Sequence, residues 1–207
     1  MTVSDSPGRT RVTNPRAVRD LDAATQAAAA MMRALGVDPN DPTTPDLART
    51  PHRLAKAYAD LLTPGEFDMT TFENVEEYDE MVIVRDIPMR SVCEHHWLPF
   101  VGRAHVAYLP AERIVGLSKL ARVVAHYSSR PQTQERLTTQ IASSLDERLQ
   151  PRGVGVVIEA EHTCMTLRGA TAPGAVTTTS SLRGLMKDSP SSRAEFLALV
   201  GRTAKHA

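Results

Sequence analysis

Leu137, Ile141, Leu145 and Leu149 recur four residues apart, the spacing of one helix face, so the pattern predicts an amphipathic helix over Thr133–Leu149. An Ala-rich stretch from Pro15 to Leu35, with Val18, Leu21, Met31 and Met32 as apolar marks, predicts another helix, stopped by Gly36. Thr50-Pro51 is read as an N-cap and first-turn proline, opening a helix through Leu54, Ala55, Tyr58 and Leu61 that ends before Pro64. Asp38–Pro45 between them reads as a loop. Shorter helices are expected at Ser118–Tyr127 and Ser191–Val200. Runs rich in β-branched residues predict strands at Met81–Ile87, Ala104–Leu109 and Val176–Thr179, with Val154–Arg168 as one long strand or a strand pair.

This order of helices and strands implies an α+β fold with a mostly antiparallel sheet. Residues 1–14 are polar and without period, and read as a disordered tail. A helical arm over 15–65 and a main domain over 66–207 follow.

Composition narrows the function. With 42% hydrophobic and 23% charged residues in 207, the chain reads as an ordinary soluble domain, and no apolar run suffices for a membrane span. A formal net charge of zero and 4% aromatic residues argue against a nucleic-acid binder. The N-terminus lacks the apolar core of a signal peptide, which points to the reducing cytoplasm.

Both cysteines of the chain stand close to histidine, in Cys93-Glu94-His95-His96 and His162-Thr163-Cys164. Thiolate and imidazole are ligands that zinc prefers, and Cys93, His96 and Cys164 would leave an open position, as in catalytic zinc sites. A disulfide or a pair of merely buried cysteines is the alternative. His162, Cys164, Thr166 and Arg168 alternate, so on a strand they would share one face.

Ser118 stands where an N-cap belongs. Together with Lys119 and Arg122 it suits a phosphate, or simply caps a surface helix. Glu135 opens the long helix, either as a dipole partner or as an acceptor for the paired donors of guanine. Arg49, Arg53 and Lys56 make a third basic stripe that on its own reads as a solvated face.

Five stretches carry a family resemblance: Thr50-Pro-His-Arg-Leu-Ala-Lys56, Ser91-Val-Cys-Glu-His-His96, Val115-Gly-Leu-Ser-Lys-Leu-Ala-Arg122, Arg130-Pro-Gln-Thr-Gln-Glu-Arg136 and His162-Thr-Cys-Met-Thr-Leu-Arg-Gly169. In them the chain resembles GTP cyclohydrolase I, over roughly residues 16–202. The resemblance implies a tunnelling fold, in which sheets from several subunits close into a barrel, and a homodecamer with sites at subunit interfaces. It implies Zn2+ on Cys93, His96 and Cys164, and proton transfer by His95 and His162, with Ser118 counted in the catalytic set. Gln134 and Glu135 would hold the guanine edge. Ser118, Lys119, Arg122 and Arg168 would hold the triphosphate, with Arg53 and Lys56 reaching in from a neighbouring subunit.

The implied reaction opens the imidazole ring of GTP, releases C8 as formate and recloses the product as 7,8-dihydroneopterin triphosphate, the entry to pterin and folate synthesis. A homologue that keeps zinc and GTP but has lost catalysis is the alternative. A nucleobase deaminase is disfavoured, because its His-x-Glu and Pro-Cys-x-x-Cys motifs are missing. Ala170 and Met186 depart from the family pattern without touching a chemical group of these motifs.

Overall fold

The computed structural model describes residues 9–12 and 19–201. Two compact units divide at Thr63 and Pro64, with the strand at 9–12 counted in the second.

The first unit pairs α1 (Leu21–Ala34) with α2 (Thr50–Leu61), joined through a 3-10 turn at Pro45–Arg49. The expected start of the first helix at Pro15 is corrected. Helix α1 begins at Leu21, because the Asp20 carboxylate accepts the Ala23 N–H at 2.8 Å and caps it; residues 15–18 lie outside the described residues. Gly36 follows with φ +83°, the left-handed stop that the pattern predicts. Thr50 does not cap α2. The 3-10 turn runs straight into the helix, Arg49 takes the cap position, and Pro51 sits in the first turn, where it has no intrahelical N–H bond to lose.

The second unit contains β1 (Arg9–Val12), β2 (Phe67–Glu73), β3 (Val82–Cys93), β4 (Pro99–Leu109), β5 (Arg113–Val115), α3 (Leu117–Ser128), β6 (Pro131–Gln132), α4 (Gln134–Leu149), β7 (Gly153–His162), α5 (Thr163–Thr166), β8 (Val176–Gly184), α6 (Leu185–Asp188) and α7 (Pro190–Val200). A five-stranded sheet has the order β6-β3-β4-β7-β8, and only the short β3–β6 pair is parallel. A small second sheet has the order β1-β2-β5. The fold class is therefore α+β and dominated by antiparallel pairing, as expected.

Arg9–Val12 corrects the expectation of a wholly disordered 1–14 tail. It pairs antiparallel with β2, whose edge offers unpaired backbone groups; the rest of the tail lies outside the described residues. Strands β3 and β4 also run longer than the pattern suggests. β3 continues past Pro88 to Cys93, with a bulge between Val84 and Ile87 where Asp86 takes φ +56°.

Helices α3 and α4 cover one face of the large sheet. Leu120, Val123 and Val124 of α3 and Leu137, Ile141 and Leu145 of α4 are fully buried against Phe100, Ala104, Val106, Val154, Val156 and Ile158. On the opposite face α6 and α7 bring Met186 and Phe196 down on Ala107 and Val157. Phe196 lies so close to Gly155 that a Cβ there would sit 2.9 Å from the ring, so glycine is needed for α7 to dock. Among the described residues no helix is long and apolar enough to cross a membrane.

Candidate active site

Strand β3 ends at Cys93, and the chain turns at once. The Cys93 carbonyl accepts the Trp97 N–H at 2.9 Å, and the Cys93 N–H donates to Leu98 O at 2.8 Å. Trp97 takes φ +58° to close this turn. It carries His95 and His96 on an exposed loop while Cys93 stays buried. Cys93 Sγ and His96 Nδ1 are 3.6 Å apart.

The second half of the site comes from the end of β7. His162 is the last residue of that strand, opposite Phe100 of β4, and its ring stacks on the Phe100 ring at 4.4 Å between centroids. The expected strand through Arg168 is corrected here. Thr163–Thr166 forms one helical turn, closed by the Leu167 N–H donating to Thr163 O at 3.0 Å. The Thr163 hydroxyl donates to Pro99 O at 2.6 Å and so ties the turn to β4. His162, Cys164, Thr166 and Arg168 therefore do not line one face of a strand.

The turn brings Cys164 to the first half. Ligand atoms of Cys93, His96 and Cys164 all lie within 4.8 Å of one another, and among the described residues no other such group of His, Cys, Asp and Glu forms. Two sulfurs and one imidazole nitrogen can hold a metal ion, and the chemistry of that donor set suits zinc. Burial first, and then the neighbouring Cys93, push the Cys164 thiol up. A metal ion held by these residues would reverse both effects, because ligation favours the thiolate.

Helix α4 supplies the next layer. Thr133 caps it, its hydroxyl accepting the Arg136 N–H at 3.3 Å. Gln134 is buried in the first turn. Its amide nitrogen donates to Ile158 O at 3.0 Å and Thr177 O at 2.9 Å, and lies 3.2 Å from Thr179 Oγ1. Two carbonyl partners identify that atom as the nitrogen, so Oε1 is the atom 2.8 Å from His162 Nε2. The His162 Nε2–H must donate to it, which leaves Nδ1 as the free ring atom. Burial holds the His162 pKa below the ordinary imidazole value, and Glu135 pulls weakly the other way. The side-chain polar atoms of Gln134, expected with Glu135 to hold the guanine edge, are thus bonded to the protein itself. Glu135, one residue on, is exposed.

Ser118 does not cap α3. Gly116 holds that position and its carbonyl accepts the Lys119 N–H at 2.8 Å, so Ser118 lies inside the first turn with its side chain exposed. Lys119 and Arg122 lie on the side of α3 away from buried Leu120, Val123 and Val124. Arg168 is exposed just past the Cys164 turn. In the first unit Arg53 and Lys56 are exposed on α2, and Lys56 pairs with Asp60 at 3.0 Å.

Sequence reasoning passed over Glu94 and Arg136 as functional residues. Their carboxylate and guanidinium meet at 2.5 Å across the site. The only sequence signal was that both lie within the quoted motifs.

The family model for GTP cyclohydrolase I matches residues 24–201. GTP cyclohydrolase 1 of Mycolicibacterium vanbaalenii is 53% identical over 184 residues, covering 86% of this chain and 90% of the relative. The Aquifex aeolicus protein of the same name is 48% identical over 175 residues, covering 84% and 94%. Among solved structures, the archaeosine synthase QueF-Like in its apo form aligns with a TM-score of 0.42 and 16% identity, covering 50% of this chain and 93% of that one. On the family match and the extent of identity, this chain belongs to the GTP cyclohydrolase I family.

Proposed function

We propose that this protein converts GTP to 7,8-dihydroneopterin triphosphate and formate at a zinc centre on Cys93, His96 and Cys164. The observation that carries the reading is the convergence of those three side chains within 4.8 Å, beside an oriented His162. The relatives' shared name, GTP cyclohydrolase 1, supports the substrate and reaction class. A catalytically silent homologue draws no support from them.

Zinc supplies the Lewis acidity that makes water nucleophilic near neutral pH. The protein's own groups do the rest. Glu135 accepts hydrogen bonds from N1–H and the exocyclic amine of guanine and so orients the base. His162 is held by Gln134 and Phe100 with Nδ1 free, and that atom takes up or delivers a proton as the imidazole ring opens. His95, on the exposed turn, serves a second nitrogen, and Ser118 lies with this catalytic set.

Ser118, Lys119, Arg122 and Arg168 bind the triphosphate, which stays intact and serves to position the base. Arg53 and Lys56 add charge from a neighbouring subunit in a homodecamer built on tunnelling-fold barrels. The 15–65 arm and the 66–207 domain divide this work in the cytoplasm.

The test is direct. Purified protein loaded with zinc is incubated with GTP, and formate is measured alongside pterin fluorescence after oxidation. Both should appear in equal amounts. Tight GTP binding without formate would instead describe a binding protein.

A further inference from the structure

The two halves of the metal-ligand set leave the sheet at different places, one after β3 and one after β7. The first residues of α4 touch both. Gln134 holds the β7 half through His162. Arg136 holds the β3 half: its Nη2 donates to Glu94 Oε2 at 2.5 Å and to Pro131 O at 2.9 Å, and its Nε donates to Gln132 Oε1 at 2.8 Å.

Gln132 is itself fully buried, and its amide nitrogen donates to Tyr127 O at 2.9 Å and Gln140 Oε1 at 2.8 Å. The Glu94 N–H donates to Gln132 O at 3.1 Å, and Cys93 pairs with Gln132 in the β3–β6 ladder. Glu94 is thus tied by backbone and by side chain to the segment that opens α4. Most surface ion pairs contribute little, because two long side chains must be ordered to make them. Here neutral acceptors already fix the guanidinium, and the backbone of the carboxylate is anchored, so little ordering remains to be done.

We propose that Glu94 and Arg136 are positioning residues for the metal centre. Their ion pair fixes the turn that presents Cys93 and His96 to Cys164, and the opening turn of α4 braces both halves of the ligand set. Neither residue belongs to the ligand group. The proposal rests on the zinc reading above.

Zinc(II) affinity of the full chain, measured by chelator competition, tests it, together with the visible spectrum of the cobalt(II)-loaded protein. Glu94→Gln and Arg136→Gln should each weaken zinc about tenfold, the lower end of what outer partners of metal ligands contribute. The double variant should be no weaker than Arg136→Gln alone, since that change already removes the contact with Glu94. Arg136→Lys, which keeps charge but loses the fork, should recover part of the affinity. The cobalt bands should shift in both Gln variants.

Three results would overturn the proposal: single variants with parental affinity and cobalt bands, losses that multiply in the double variant, or a weakening matched by an equal loss of stability in zinc-free protein. A parent protein that binds no zinc at all is a separate result and defeats the metal reading itself.

Discussion

Gln134 Oε1 accepts a hydrogen bond from His162 Nε2 at 2.8 Å, and the same glutamine's nitrogen is held by the Ile158 and Thr177 carbonyls. The glutamine is thereby locked in orientation, and it selects one tautomer of the histidine. Gln134→Leu fills the space but removes the donor to both carbonyls and the acceptor for His162 Nε2, at a cost of about 1–3 kcal/mol. The variant should melt lower and lose kcat more than it gains KM. A normal kcat in a folded variant would remove Gln134 from the catalytic account.

Metal content separates ligands from proton carriers. Cys93→Ser and Cys164→Ser should each abolish zinc and turnover together, because a three-ligand site does not survive loss of a thiolate. His95→Ala and His162→Ala should retain zinc and lose turnover. Elemental analysis decides the matter, and a zinc-free His95→Ala protein would make that histidine a ligand.

Glu135 is expected to read the base. Adenine lacks the donor pair that this carboxylate accepts, so ATP should be a very poor substrate despite its triphosphate. Glu135→Ala should lower kcat/KM for GTP by roughly ten- to a hundredfold, the equivalent of hydrogen bonds to a charged group, and narrow the GTP/ATP gap. Arg168→Ala should weaken both nucleotides equally. Unchanged GTP kinetics in Glu135→Ala would leave Glu135 as a helix-dipole carboxylate only.

Composite sites should reveal themselves by complementation. Lys56→Ala and His95→Ala are each expected to be inactive alone. Mixed and reassembled, they should regain part of the parental activity, because some sites then draw intact halves from different subunits. A fully active monomer in sedimentation would exclude this arrangement.

His126 should make stability depend on pH. It is buried on α3 with Nδ1 donating to Gly65 O at 3.0 Å. Burial pulls its pKa below the ordinary value, the Gly65 contact opposes this, and Arg130 and Arg148 reinforce the lowering. The unfolded chain therefore binds the proton more readily. The stability linked to this group is complete above an unfolded pKa of about 6.5 and is lost as pH falls from there through the lower folded value. Tm should drop between pH 7 and 5, and His126→Gln should flatten part of that slope. A variant with the parental slope would assign the effect to other groups.

The helices were legible in the chain because their determinants are local. The recurrence of Leu137, Ile141, Leu145 and Leu149 dictates which face of α4 is buried, and Gly36 ends α1 by its own backbone freedom. The residue types of the candidate metal site were legible too, since thiol beside imidazole is chemistry written in residue identity. Local pattern failed where a distant partner decided. His162, Cys164, Thr166 and Arg168 alternate like a strand, yet the Pro99 carbonyl draws in the Thr163 hydroxyl and the backbone closes into a helical turn. Gln134 and Glu135 look alike as polar first-turn residues, yet one is buried and the other exposed. Packing of α4 on β7 and β8 decides which of them meets a histidine and which meets solvent. Periodicity and caps are set within a few residues of chain, whereas a site assembled from β3, β7 and α4 depends on which buried polar groups find partners once those elements pack.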